Sequence, residues 1–135
     1  MCIRDRKKRW LPKLSTGEYV ASLAMTEPST GSDVQAIKTT AEKDGNQYRI
    51  NGSKIFITNG GSADLIVLAA KTNKNEKSKG VSLVVVETKD LEGFSRGKPL
   101  KKLGQKGNDT VSYTHLRAHE TLRYLVCRLL LEKKK

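Results

Sequence analysis

The hydrophobic pattern of the chain is a series of short apolar runs separated by polar, glycine-containing turns, which is typical of β-strands. The runs at 65–70 and 81–87 are rich in β-branched residues and predict strands buried on both faces. Asp44-Gly45 is a strong signal for a hairpin. The pattern predicts an all-β fold, a small antiparallel β-barrel or sandwich. The predicted strands lie at residues 18–25, 37–42, 47–50, 54–57, 65–70 and 81–87, and Phe94 together with residues 99–104 predicts one further short strand.

Two loops that follow apolar runs hold the candidate chemistry, at residues 26–33 (TEPSTGSD) and 56–61 (FITNGG). Glycines let the backbone approach a ligand closely, and free N–H and hydroxyl groups suit phosphate or ring-heteroatom acceptors. The hydroxyls of Thr26 and Thr58 either converge on a flat heteroaromatic ring or cap their own turns, and composition alone favours capping. We expect Glu27 to be solvated or turn-bonding rather than a catalytic base.

The two ends of the chain carry an inverted match that no protein-level property explains. Met1–Asp5 can be encoded by a nucleotide string whose reverse complement encodes Val111–His115. This resembles translated read-through of a sequencing adapter, so we interpret residues 1–6 and 111–135 as foreign sequence. Leucines at helical spacing over 122–131 would then form no biological helix, and 111–116 alternate well enough to take the place of a missing strand.

Setting the ends aside changes the composition. The 135-residue chain has a formal net charge of +12, whereas residues 7–110 carry 18 Lys and Arg against 11 Asp and Glu, a net +7. Residues 7–110 contain no Cys or His, which excludes a disulfide, a Cys/His metal site and Ser-His-Asp catalysis within them. The charge suits an anionic ligand more than a dedicated nucleic-acid binder. We expect no membrane span, since no apolar stretch is long enough.

Several motifs, in order and register, resemble the middle domain of acyl-CoA dehydrogenases. The resemblance covers nearly all of residues 7–110, and details such as Ala24-Met25 and Val34-Gln35 lean toward the long-chain branch. It implies a partial middle domain that lacks its last native strand and binds FAD. The motifs are Met25-Thr26-Glu27-Pro28, Gly31-Ser32-Asp33, Asn51-Gly52-Ser53-Lys54, Ile57-Thr58-Asn59-Gly60, Gly80-Val81-Ser82-Leu83, Lys102-Leu103-Gly104 and Asp109-Thr110.

The resemblance also implies which residues contact ligands. Thr26 would lie near the pyrimidine side of the flavin ring, Thr58 would bond its N5, and Phe56 would pack against it. Ser29 stands where the family usually has glycine, which costs about 1 kcal/mol or more only if its backbone is left-handed. The implied flavin contacts are Leu23, Ala24, Met25, Thr26, Gly31, Ser32, Phe56, Ile57 and Thr58, and the implied acyl-CoA contacts are Ser32, Ser78 and Lys79.

The implied parent enzyme oxidises an acyl-CoA thioester to its trans-2-enoyl form and passes electrons to an electron-transferring flavoprotein. Its catalytic glutamate would belong to a C-terminal helical domain, so we expect this chain to hold no catalytic residue and to be inactive. We expect a homodimeric or homotetrameric parent, in the mitochondrial matrix if eukaryotic and in the cytoplasm if bacterial. An acyl-CoA oxidase or flavin monooxygenase on the same scaffold stays open. A single-stranded nucleic-acid-binding barrel is a distant alternative, because the few aromatic residues are not interleaved with lysines.

Overall fold

The computed structural model describes residues 3–45, 47–76, 78–89, 91–116 and 118–121. These form one helix, nine strands and two single helical turns, which confirms the all-β class apart from the helix. The elements are α1 (Ile3–Ser15), β1 (Ala21–Ala24), β2 (Thr40–Asp44), β3 (Gln47–Asn51), β4 (Lys54–Thr58), β5 (Leu65–Lys71), β6 (Val81–Glu87), β7 (Phe94–Arg96), β8 (Thr110–Leu116) and β9 (Ala118–Thr121), with turns at Val34–Ala36 and Ser78–Gly80.

The strands form two sheets. The larger has the order β1-β5-β2-β3-β9, with β6 paired to β5, and the smaller has the order β4-β8-β7. Two details differ from the predicted antiparallel barrel. The pairing of β1 with β5 is parallel, as is the single bridge between β2 and β5, and the described strands do not close into a barrel. The parallel pairing places the carboxyl ends of β1 and β5 at one edge of the sheet.

The hairpin signal is confirmed, because β2 and β3 pair antiparallel up to Asp44 and Gln47. Gly45 has φ +57, a conformation that glycine adopts without a steric penalty. Strand β5 is buried on both faces, as predicted. Strand β6 instead alternates buried and half-buried residues, which indicates that one of its faces packs on the core and the other is less covered.

Residues 99–104 do not form the predicted strand. Pro99 has no N–H for a ladder, and Gly104 turns the chain with φ +94. The segment is tied to the neighbouring strand at Thr110, whose carbonyl accepts from the Leu100 amide at 2.8 Å and whose hydroxyl accepts from Lys102 Nζ at 2.8 Å. The leucine-rich stretch at 122–131 lies outside the described residues.

Helix α1 is the element that the β pattern did not predict. Its buried Trp10 donates from Nε1 to Oε1 of Glu87 at 2.7 Å, and Arg9 donates to Oε2 at 2.9 Å. The helix is therefore docked on the end of β6 by one carboxylate that receives two donors.

The core lies between the two sheets and includes part of β8. Val111 and Tyr113 are buried, with the half-buried Ser112 between them, so residues 111–116 do fill a strand position, as their alternation predicts. The Tyr113 hydroxyl donates to the Gly60 carbonyl at 3.1 Å. The buried apolar cluster comprises Ala24, Ala41, Ile50, Ile57, Ala63, Ile66, Leu68, Ala70, Val84, Val86, Val111 and Tyr113.

Candidate functional site

The two hydroxyl-rich loops are neighbours in the structure. The first follows β1, and the second begins within β4. The Ile55 amide donates to the Thr26 carbonyl at 2.9 Å, which joins the start of the first loop to β4 one residue before Phe56. Residues widely separated in sequence therefore form one edge, with exposed hydroxyls on both loops and an exposed glycine, Gly31, on the first.

A β-bulge in β4 determines what this edge presents. Lys54 is opposite Tyr113 and Ile57 is opposite Val111, so β4 contains one residue more than β8 across this stretch. Phe56 lies in the bulge with φ +59, a left-handed conformation that is a genuine outlier for a bulky residue. The bulge turns Lys54 and Ile57 inward and leaves Phe56 63% exposed. A strained, solvent-facing aromatic side chain at a sheet irregularity is typical of a functional site.

The second loop continues from this bulge through Thr58, which is exposed at the end of β4. Asn59 is also left-handed, with φ +58, and its amide donates to the Asp109 carbonyl at 2.6 Å. A Cβ on Gly61 would come within 2.5 Å of the Asp109 carboxylate. The Asn-Gly-Gly sequence thus fits a turn that both reverses the chain and passes close to its neighbour.

The first loop is a tight turn. The amides of Glu27 and Thr30 donate to each other's carbonyls, at 2.9 and 3.1 Å. Ser29 is not left-handed, so the residue that departs from the usual family motif causes no backbone strain here. The Asp33 carboxylate accepts from the Gln35 amide at 3.1 Å and caps the turn at Val34–Ala36.

Beneath the loops lies a buried ion pair that the sequence analysis did not predict. Lys54 Nζ donates to Glu27 Oε1 at 2.9 Å, and the two side chains are 0% and 4% exposed. Burial raises the pKa of the Glu27 carboxyl, but hydrogen bonds from Thr39, from the Lys38 amide and from Lys54 outweigh burial, so its pKa lies below the usual value. Burial lowers the pKa of Lys54, and Glu27 offsets only part of that effect.

Glu27 is therefore neither solvated nor placed as a catalytic base. Its carboxylate accepts from the Lys38 amide at 2.6 Å and from the Thr39 amide at 2.9 Å, in addition to Lys54. No local signal marks the pair, since its members are 27 positions apart and both residue types are usually exposed.

The predicted flavin contacts fall into three groups by burial in the structure. The side chains of Ala24 and Ile57 belong to the buried core, so these two residues present only backbone atoms to a ligand. Met25 and Thr26 are half-buried. The exposed members of the set are Leu23, Gly31, Ser32, Phe56 and Thr58, and both Leu23 (54%) and Phe56 are large apolar residues facing solvent.

The predicted acyl-CoA contacts lie on two different loops. Ser32 is exposed on the first loop, whereas Lys79 is exposed in the Ser78–Gly80 turn between β5 and β6. Because β1 and β5 are parallel, both loops leave the same edge of the sheet. Within the described part of the chain, no three His, Cys, Asp or Glu side chains gather as a metal site. None of the described helices is long and apolar enough to cross a membrane.

The fold and the site define a small β-domain that presents two neighbouring hydroxyl-rich loops at one edge. The family model described as "Acyl-CoA dehydrogenase, middle domain" matches residues 22–117. The chain therefore belongs to the acyl-CoA dehydrogenase family and carries its middle domain, which confirms the resemblance seen in the motifs.

Individual relatives agree with the family assignment. The chain is 48% identical over 107 residues to mitochondrial isovaleryl-CoA dehydrogenase of Pongo abelii, covering 78% of this chain and 25% of that protein. It is 43% identical over 108 residues to mitochondrial long-chain specific acyl-CoA dehydrogenase of Sus scrofa, with coverage of 78% and 25%. A crystal structure of acyl-CoA dehydrogenase from Geobacillus kaustophilus matches with a TM-score of 0.84 and 48% identity, over 90% of this chain and 32% of that one. The chain thus spans about a quarter of its curated relatives, which come from different branches.

Proposed function

We propose that this chain supplies the flavin-facing and acyl-CoA-facing loops of a flavin-dependent acyl-CoA dehydrogenase. The observation that carries the proposal is the edge formed where Ile55 is bonded to Thr26 and the bulge exposes Phe56. An FAD cofactor has a flat ring system with polar atoms on its rim. An exposed aromatic side chain beside exposed hydroxyls and backbone amides fits both properties.

The residues present fit the flavin in specific roles. Phe56 offers an apolar face for the ring, and Thr58, two residues further, offers a hydroxyl to its rim. Thr26 is held beside β4 by its own carbonyl, which leaves its side chain to face the ligand. Gly31 and Ser32 offer an exposed amide and hydroxyl that suit the pyrophosphate. When bound, FAD accepts the hydride that leaves the acyl chain.

Binding of the acyl-CoA is assigned to Ser32, Ser78 and Lys79. The net charge of +7 over residues 7–110 favours approach of the anionic CoA. The family's catalytic glutamate is assigned to a separate helical domain of the parent protein, so this chain binds and orients ligands without abstracting a proton. The parent protein then transfers electrons to an electron-transferring flavoprotein and assembles as a homodimer or homotetramer.

The assignment of the two ends is part of the same proposal. We assign residues 7–110 to the partial middle domain and residues 1–6 and 111–135 to foreign sequence, so that residues 111–116 of β8 occupy the place of the native strand beside β4. Sequencing the genomic DNA across positions 6 and 110 tests it. We expect the genomic reading frame to encode a different sequence from this chain before position 7 and after position 110. A genome that encodes residues 111–135 would contradict the adapter interpretation.

An FAD titration tests the ligand assignment. Loss of flavin fluorescence is followed as the chain is added to FAD, for the unchanged chain, Phe56→Ala and Leu103→Ala. Leu103 is a matched control, since it is also a large exposed apolar residue but lies outside the two loops. We expect saturable binding that weakens about tenfold in Phe56→Ala and is unchanged in Leu103→Ala. Absence of binding, or equal weakening in both variants, would refute the assignment.

A further inference from the structure

The buried pair of Glu27 and Lys54 connects three separate segments of the chain. Glu27 lies at the start of the first loop, and Lys54 opens β4. The Glu27 carboxylate also accepts from the amides of Lys38 and Thr39, which precede β2. One carboxylate thus receives donors from two segments outside its own loop, and the contacts with Thr39 and Lys54 are buried.

The contacts of Lys54 extend to the other side of Thr26. Its ammonium donates to the Met25 carbonyl at 2.9 Å as well as to Glu27 at 2.9 Å. Residues 25 and 27 are therefore both attached to Lys54. Thr26, between them, accepts from the amide of Ile55, the residue after Lys54. Three consecutive residues, Met25 and the first two of the first loop, are therefore hydrogen-bonded to two consecutive residues of β4.

Stability alone does not account for this arrangement. Replacing a buried ion pair with well-packed apolar side chains is often neutral or stabilising, because both charges must be removed from water. Apolar side chains, however, do not make directional contacts between the segments. Hydrogen bonds of defined length and angle fix the relative placement of the segments they join.

We propose that Glu27 and Lys54 are positioning residues, which hold Thr26 in register with the Phe56 bulge so that the flavin-facing edge is formed before the ligand arrives. This inference rests on the proposed flavin-binding function of the two loops. Neither side chain reaches the ligand itself, since both are buried. An edge that is already ordered binds a rigid ring more tightly because less conformational entropy is lost on binding.

The test uses the full chain with both charges removed, in the double variant Glu27→Gln/Lys54→Met. Amide hydrogen exchange at Ile55 reports on the bond to Thr26 without any flavin present. The FAD titration reports on the ligand, and denaturant unfolding reports on global stability. The matched control is Glu42→Gln/Lys74→Met, which removes an ion pair whose side chains are both more than half exposed.

We expect exchange at Ile55 to accelerate about tenfold and FAD binding to weaken about tenfold, while the unfolding midpoint changes little. The control pair should leave all three measurements unchanged. Unchanged Ile55 exchange in a folded double variant would overturn the proposal, and so would exchange that only follows the loss of global stability. If the double variant does not fold, Glu27→Asp decides by the same criteria, because it keeps both charges while drawing the carboxylate back from the amides of Lys38 and Thr39.

The two hypotheses fail in different ways. If the unchanged chain does not bind FAD, the proposed function is wrong, and Ile55 exchange still decides whether the pair fixes the edge. If the unchanged chain binds FAD and the double variant binds it equally well, the positioning role is wrong and the proposed function stands.

Discussion

Replacing Phe56 with glycine and with alanine tests whether the bulge in β4 stores backbone strain. Both substitutions remove the aromatic ring, so the effect of removing its packing cancels when the two variants are compared. The comparison therefore isolates the backbone conformation at this position, which has φ +59. The neighbouring Ile55 is the control, because it lies in the same strand without a positive φ.

The expected difference follows from two opposing effects. A residue with a Cβ in the left-handed region is destabilised by about 1–2 kcal/mol, and glycine avoids this. Glycine loses more backbone entropy on folding than alanine, which costs about 0.5–1 kcal/mol. At Phe56 the strain is the larger effect, so Phe56→Gly should be more stable than Phe56→Ala by about 0.5–1 kcal/mol. At Ile55 only the entropy differs, so Ile55→Gly should be less stable than Ile55→Ala by a similar amount.

Denaturant unfolding of the four variants measures these differences in the free energy of unfolding. Equal m-values for the four variants are the check that the differences do not come from a changed unfolded state. The reversal of order between the two positions is the result that matters. If glycine is the less stable choice at both positions, Phe56 is not strained and the argument from the bulge fails. FAD affinity should fall equally in both Phe56 variants, because each lacks the ring.

Two further predictions concern the elements under the site. As the pH falls, the unfolded chain protonates Glu27 before the folded chain does, since the folded pKa lies below the usual value despite burial. The stability contributed by Glu27 is therefore complete above about pH 4.5 and lost as the pH falls through the folded pKa, and Glu27→Gln should flatten this part of an unfolding-against-pH curve. A Cβ on Gly52 would lie 2.8 Å from Thr39 Cα, so Gly52→Ala should cost about 1–3 kcal/mol in denaturant unfolding. Gly107→Ala, where a Cβ meets nothing within 4 Å, should change stability by less than about 0.5 kcal/mol.

The parts of the fold predicted from the sequence are those specified by local patterns. Strand β6 has the predicted bounds, and the β2–β3 hairpin forms at Asp44-Gly45. Helix α1 was missed because its stretch is polar, and the carboxylate that docks its Trp10 belongs to Glu87, 77 positions away. The parallel pairing of β1 with β5 is likewise a tertiary property, because the sequence of one strand does not determine whether its neighbour runs parallel or antiparallel to it.

The site shows the same division. The residue types of the two loops, and the family motifs they carry, singled them out as the candidate site, and the structure brings the two loops together. The exposure of Phe56 could not be predicted, because regular alternation from Lys54 places residues 54 and 56 on one face and 55 and 57 on the other. One extra residue in β4 relative to β8 changes that arrangement, and it becomes visible only when the two strands are paired.

The buried ion pair and the bulge meet in β4, where Lys54 is followed by one extra residue relative to β8. With it, Lys54 and Ile57 both face the interior, and Phe56 between them faces solvent in a left-handed conformation. Neither feature serves the core, since a regular strand with an apolar residue at position 54 would avoid both the strain and the buried charges. Together they hold an aromatic ring outward while fastening the adjacent loop to the strand that carries it. If this edge faces a flavin, as we propose, the strained backbone and the buried charges are tolerated because they fix what the edge presents to the ring.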